Sequence, residues 1–268
     1  MSLRVLVSGA GGKMGREVVR AVHGAPDMEL VGAVDPTCSG KDAGELAGVG
    51  TLGVKVSPTL AEGLASSGAT HVVDFTTPQA VFDNVMTALD QGRRVVFGTT
   101  GLGPKELEAI DRRARERGTG VIHAPNFAIG AVLMMRFAAE AAPFFDRVEI
   151  IELHHDQKKD APSGTAIKTA ELIAQALRSK GEVAATAVAD TDQAARGETV
   201  EGIRIHSVRL PGLVAHQEVI LGLAGQTLSI RHDSLDRVSF MPGVLLALRR
   251  VGEVQGLVYG LEHLLFPR

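Results

Sequence analysis

The chain has 268 residues, enough for one large domain or two modest ones, and its 45% apolar content can furnish a real core. A formal net charge of −3 gives no nucleic-acid signal, and the single cysteine, Cys38, excludes a disulfide within the chain and suits a reduced, cytosolic setting. No apolar run is long enough to span a bilayer, so no membrane partner is expected, and the start lacks the segments of a signal peptide.

Residues 3–7 form a short, nearly all-apolar run, the pattern of a strand buried on both faces. A glycine loop follows, then a helix over 16–23 and a second strand over 28–34. Further strands are expected over 70–75 and 94–97. A helix over 104–117 opens with Pro104 in its first turn and stops near Gly118. A short strand covers 121–123. Strands separated by helical patterns imply βαβ units and a parallel sheet.

The character changes near Ala128. A helix through Met134 and Phe137 leads to a strand over 148–153. From Thr165 a helix is expected to reach Lys180, with Ile167, Ala170, Ala174 and Leu177 on one stripe. Residues 203–210, 217–223 and 227–231 alternate polar and apolar and read as antiparallel strands with one solvated or interface face. The last stretch reads as helix over 243–251 and 257–265. Together these elements predict an α/β fold. A Rossmann-like, parallel-sheet dinucleotide-binding domain spans 1–127 and is completed by C-terminal helices over 238–268. A smaller α+β substrate-binding and oligomerisation domain, with a mostly antiparallel open sheet, spans 128–237.

Gly9, Ala10, Gly11, Gly12, Lys13, Met14 and Gly15 sit between the first strand and the first helix, the context a dinucleotide-binding turn requires. Met14 holds the third glycine position of G-x-G-x-x-G; Gly9, Gly12 and Gly15 give G-x-x-G-x-x-G instead. Asp35 ends the second strand about twenty residues on, where a carboxylate receives the ribose hydroxyls of the adenosine. It would repel a 2′-phosphate. Pro36 leaves no adjacent arginine, and Lys13 and Arg16 are the nearest compensating cations. NADH is therefore expected to serve at least as well as NADPH. The plain alternatives are a ligand-free structural turn and, for Asp35, a turn former ahead of Pro36. Three other loops leave strands on the same side of the sheet: Phe75 to Pro78, Gly98-Thr99-Thr100-Gly101, and Ala124-Pro125-Asn126-Phe127. Each alone is an ordinary βα loop; their joint position suits a nicotinamide and its ribose.

The segment from His154 to Thr165 packs His154, His155, Lys158, Lys159, a proline break and a helix start into one stretch. Imidazole and ammonium groups supply protons and positive charge, and the N–H groups of a helix start suit a carboxylate or phosphate. Ser163 is the candidate cap. Either histidine can equally be a hydrogen-bonded structural residue, and Lys159 suits a solvated surface charge. Neighbours on a strand face opposite ways, so His154 and His155 need a distortion at the strand end or two distinct roles. Adjacent histidines do not match the i, i+4 spacing of helical zinc sites, so no metal is expected. Arg237 is a further candidate for a carboxylate contact.

On these residues the chain resembles the 4-hydroxy-tetrahydrodipicolinate reductase family, also called dihydrodipicolinate reductases, over essentially its whole length. The carriers are residues 7–15, 73–76, 97–101, 124–127 and 152–166, and above all the H-H-x-x-K-x-D-A-P-S-G-T-A signature that begins at His154. The resemblance implies reduction of a small cyclic dicarboxylate by NADH or NADPH in the diaminopimelate–lysine pathway. It places the catalytic acid–base histidine on His154 and the proton-donating lysine on Lys158. Substrate contacts fall on His155, Gly164 and Thr165. Cofactor contacts fall on Gly9, Ala10, Gly11, Gly12, Lys13, Met14, Asp35, Gly98, Thr99, Thr100, Ala124, Pro125, Asn126 and Phe127. It also implies a homotetramer assembled through the second domain's sheet. Pro36 departs from members that favour NADPH, which often carry an arginine there, and Asp156 departs from relatives with a basic residue. The alternatives are another Rossmann oxidoreductase acting on a small carboxylate and a non-catalytic nucleotide-sensing module. A semialdehyde dehydrogenase needs a cysteine nucleophile, and Cys38 is badly placed for that.

Overall fold

The structure, a computed structural model, describes residues 2–179 and 194–266. The chain divides into two compact units, Met1–Phe127 with Phe240–Arg268, and Ala128–Ser239.

The first unit opens with β1 (Leu3–Ser8), in which Val5, Leu6 and Val7 are fully buried. The run does not alternate because a parallel strand inside a sheet has apolar neighbours on both faces. α1 (Lys13–Gly24) buries Gly15, Val18, Val19 and Val22 at helical spacing. It is followed by β2 (Met28–Val34), α2 (Ala43–Ala47), β3 (Val56–Ser57), α3 (Leu60–Ser67), β4 (His71–Asp74) and α4 (Val81–Asp90). β5 (Arg94–Phe97), α5 (Pro104–Glu116) and β6 (Gly120–His123) complete this stretch. α2, β3, α3 and α4 are not among the expected elements, although two of them carry local start signals. The Asp42 carboxylate accepts the N–H of Gly44 at 2.9 Å and of Glu45 at 3.2 Å, and Thr59 Oγ1 accepts that of Glu62 at 3.3 Å.

The second unit contains α6 (Ile129–Ala141), β7 (Arg147–His154), α7 (Gly164–Ser179), β8 (Glu198–Val200), β9 (Ile203–Arg209), β10 (Ala215–Leu223) and β11 (Gln226–Ser234). Lys180, the expected end of the helix from Thr165, lies outside the described residues. The five strands are ordered β11-β10-β7-β9-β8. β10 is antiparallel to β7 and β11, and β8 to β9, but β9 runs parallel to β7. The sheet is thus mostly antiparallel, as expected, and the correction is confined to the 203–210 strand, which was expected to be antiparallel. α7 lies between β7 and β9 in the chain, and a crossover of that length returns a strand in the same direction. Alternation gives the sheet two faces. Val148, Ile150, Ile205, Val219 and Leu221 are buried on one, while Ile151, Leu153, Val208 and Ile220 are half-buried on the other. The buried face is the one the helices cover: Gln217 reaches Thr169 of α7, and His232 lies against Gly130 of α6.

The first unit is completed by α8 (Met241–Arg250), β12 (Gly256–Tyr259) and α9 (Glu262–Leu265). The helix expected over 257–265 is thus corrected to a strand and one short helical turn. Gly256 at φ +81° and Gly260 at φ +102° bracket the strand, and a left-handed backbone cannot belong to a right-handed helix. Between them Leu257 pairs with Val121, and its N–H donates to Asp111 Oδ1 at 2.8 Å. The sheet order of this unit is β12-β6-β5-β4-β1-β2-β3, with every neighbouring pair parallel. The carboxyl ends of such strands form the ligand-binding edge of an open α/β sheet.

Candidate active site

In the first unit the glycine loop is built by close approach. Gly9 leaves β1 at φ +82°, and a Cβ there would lie 2.6 Å from the Phe75 carbonyl oxygen. Gly15 packs against the same turn: its Cβ would lie 1.9 Å from the Gly9 carbonyl oxygen. Gly15 therefore performs the tight packing that the third glycine of the dinucleotide motif performs, displaced by one residue. It was absent from the expected cofactor residues, and the G-x-x-G-x-x-G spacing was its signal.

Hydrogen bonding narrows which donors of the loop can receive an anion. The N–H groups of Gly9 and Ala10 both donate to the Val34 carbonyl, and that of Gly12 donates to the Gly9 carbonyl. The Gly11 N–H donates to Asp35 Oδ2 at 3.0 Å. Gly12 caps α1 without a side-chain bond, and the first turn holds no acidic residue. The N–H groups of Lys13, Met14 and Gly15 have no partner among the described residues. Three open donors at the positive end of a helix fit the pyrophosphate of a dinucleotide.

Asp35 follows β2 and is engaged on both oxygens. Oδ1 accepts the N–H and the hydroxyl of Thr37, at 2.9 and 2.6 Å, and so caps the 3-10 turn Pro36–Cys38. The turn-forming alternative is therefore correct as far as it goes, while Oδ2 faces the glycine loop. Arg16 Nε donates to the Gly11 carbonyl at 2.9 Å, which brings a cation to the same loop.

The remaining cofactor candidates surround Phe75. Its ring lies against Gly98, where a Cβ would come within 2.2 Å, and its centroid is 5.7 Å from that of Phe127. Thr99 Oγ1 donates to the Thr76 carbonyl at 3.4 Å, and the Ala124 N–H donates to the Phe97 carbonyl at 3.2 Å. Thr100 and Pro125 are exposed and Asn126 is half-buried. Asp74, to which the sequence assigned no role, anchors this cluster from below. It accepts the N–H and hydroxyl of Thr76 at 3.0 and 2.6 Å, and Asn84 donates to its other oxygen at 2.8 Å. Burial pushes its carboxyl above the usual range in spite of those bonds.

The proton-bearing candidates lie in the second unit. β7 keeps its alternation to its last residue, which sets Glu152 and His154 on one face, and the chain leaves the sheet at His155. The two histidines are thus separated by the strand end: His154 still belongs to the ladder, and His155 opens the turn in which its carbonyl accepts the Lys158 N–H. His154 Nδ1 lies 2.5 Å from Glu152 Oε2. Lys158 Nζ is bonded to both oxygens of Asp160, at 2.8 and 2.7 Å, and this pairing holds the Asp160 carboxyl below its ordinary range. Lys158 is partly buried, and Lys159 is exposed.

Ser163 caps α7 by accepting the Ala166 N–H at 3.2 Å, which leaves the Gly164 N–H outside the cap bond. Gly164 is exposed, and a Cβ on it would meet nothing. The first turn of α7 is tied to the sheet through the Thr165 carbonyl. It accepts the Thr169 hydroxyl at 2.7 Å, and Thr169 accepts the Gln217 amide at 2.8 Å. Arg237 is exposed at the start of the 3-10 turn Arg237–Phe240.

Residues 3–127 match the family described as Dihydrodipicolinate reductase, N-terminus, and residues 130–265 the one described as Dihydrodipicolinate reductase, C-terminus. The chain belongs to the dihydrodipicolinate reductase family. It is 53% identical to the 4-hydroxy-tetrahydrodipicolinate reductase of Streptococcus gordonii, over 99% of this chain and 100% of that one. It is 50% identical to the protein of the same name from Listeria welshimeri, over 98% of this chain and 100% of that one. The solved dipicolinate-bound dihydrodipicolinate reductase of a Paenisporosarcina species superimposes with a TM-score of 0.84 at 43% identity. That match covers 98% of this chain and 99% of the other. Amine dehydrogenase from Mycobacterium smegmatis, at 15% identity and a TM-score of 0.65, shares the fold alone.

Proposed function

We propose that the chain reduces 4-hydroxy-tetrahydrodipicolinate, by way of its dehydrated form, to tetrahydrodipicolinate in the diaminopimelate–lysine pathway. The chain is an oxidoreductase of the dihydrodipicolinate reductase family, and its cofactor is a nicotinamide dinucleotide. The observation that carries the reading is the His154 to Thr165 segment. It supplies an imidazole braced by a buried carboxylate, an ammonium group and an open helix start within one short stretch.

When bound, the reduced cofactor supplies a hydride; the residues of this chain supply the rest. The N–H groups of Lys13, Met14 and Gly15 receive the pyrophosphate, and Asp35 receives ribose hydroxyls. Gly98 to Thr100 and Ala124 to Phe127 line the nicotinamide end. His155, Gly164 and Thr165 hold the substrate's carboxylates, with the dipole of α7 favouring the negative charge. Hydride addition to the unsaturated ring leaves negative charge on the substrate, and His154 and Lys158 provide the proton that completes the saturated bond. Asp35, followed by Pro36, disfavours a 2′-phosphate, while Arg16 at the Gly11 carbonyl offsets part of that repulsion. NADH therefore serves at least as well as NADPH. The half-buried sheet face with Ile151, Leu153, Val208 and Ile220 is the surface through which a homotetramer assembles.

The test follows nicotinamide oxidation with freshly generated hydroxylated substrate, using NADH and NADPH in parallel. Oxidation with both, at a rate with NADH at least equal to that with NADPH, is expected. No oxidation with either cofactor refutes the function, and oxidation with NADPH alone refutes the cofactor preference.

A further inference from the structure

Glu152 has no part in the proton transfer just described, yet its side chain is completely buried beneath His154. A carboxylate in such a place is costly unless its lone pairs are used. Three N–H donors use them, Arg209 Nη1 at 3.0 Å, Arg209 Nη2 at 2.7 Å and the Ser163 N–H at 3.2 Å, and His154 Nδ1 lies 2.5 Å from Oε2. Arg209 Nη2 also donates to the Asp160 carbonyl at 2.7 Å. One buried ion pair thus touches the end of β7, the loop that carries Lys158 and the residue that caps α7.

We propose that Glu152, held by Arg209, is a positioning residue that fixes His154 with its proton on Nδ1, leaves Nε2 for exchange with the substrate, and ties the capping end of α7 to the same carboxylate. The assignment rests on His154 being the acid–base residue. Only an all-acceptor group satisfies these three donors together with a protonated Nδ1. A glutamine in the same space brings two N–H donors of its own, so its amide must turn hydrogen toward at least one of them. Leaving a buried group unsatisfied costs more than the bond itself. The site therefore distinguishes a carboxylate from an amide of nearly identical shape, which a role limited to filling space would not do. Arg209 reaches the pair because β9 lies parallel to β7 and sets it opposite His154.

The test joins a spectrum to kinetics. In the ¹⁵N-histidine spectrum of the unaltered chain at alkaline pH, His154 should carry its proton on Nδ1, against the usual preference of free imidazole. In Glu152→Gln the single tautomer should be lost. The turnover number should fall by about 100-fold while the KM for the dicarboxylate and the Kd for NADH stay within about threefold. Bare Nδ1 in the unaltered chain overturns the proposal even if the variant fails to fold. So does a folded Glu152→Gln chain that turns over within about threefold of the original. A parallel His154→Ala chain separates the failures. If it keeps its turnover, the acid–base assignment itself is wrong. If it loses turnover while Glu152→Gln does not, only the positioning role is wrong.

Discussion

The two units use histidine in opposite ways. In the first, His71 and His123 are buried within the parallel sheet, and His123 stacks on Phe97 at 4.1 Å. Burial, reinforced for His71 by nearby Arg94, pushes both imidazoles down to about 4, so they are neutral core material at physiological pH. In the second, His154, His206 and His216 lie 2.5–2.6 Å from the carboxylates of Glu152, Glu149 and Asp233. Burial works against the Glu152 carboxylate, yet bonds from His154 and Arg209 hold it down at about 2. The lesson is that a histidine enclosed in the parallel sheet reads as packing, whereas His154, against the fully buried Glu152, reads as an oriented one.

That contrast can be sharpened in order of effect. Lys158→Ala should lower turnover by at least about 100-fold, the scale of general acid catalysis, with NADH affinity within about threefold. A weakened NADH affinity at full turnover would place Lys158 with the cofactor instead. Gly15→Val acts on the other unit. Its added carbons collide with the Gly9 carbonyl, and thermal unfolding should report a loss of about 1–3 kcal/mol, the cost of overpacking. An unchanged melting temperature would show that the turn relaxes freely.

The smallest effect is in the acid limb of stability. The folded-state values of His71 and His123 lie below their unfolded value of 6.5. Between about 6.5 and 4 the unfolded chain therefore binds protons that the folded chain does not. Stability falls as pH falls through that window, by at most about 1.4 kcal/mol per pH unit for each histidine. Glu152 acts in a lower window: its contribution is intact above 4.5 and is lost as pH falls toward about 2. His123→Phe should roughly halve the slope in the upper window, since His71 remains, and leave the lower one in place, read from denaturant unfolding at a series of pH values. A curve unchanged above pH 4 would remove His123 from the account.

What the sequence conveyed and what it withheld follow from the range of each signal. Unbroken apolar runs announced the parallel strands of the first unit because burial on both faces is written locally. The signature from His154 to Thr165 was legible for the same reason: strand end, break, cap and helix start are adjacent. The direction of β9 was not legible, since alternation states which residues share a face and not which way a neighbouring strand runs. Leu257 to Leu265 was misjudged because a short apolar stretch fits either period, and Asp111, which receives the Leu257 N–H, is remote in sequence. Glu152 and Arg209 were given no role because each is a single charged residue in a strand. Their meaning arises only when β7 and β9 lie side by side.

The central claim is that proton delivery belongs to the second unit and cofactor binding to the first. His154→Ala tests it most directly, with nicotinamide oxidation and NADH binding measured on the same preparation. The account predicts a loss of turnover of about 100-fold or more with NADH affinity within about threefold. Turnover preserved in that variant, or lost only in proportion to weakened NADH binding, would contradict it.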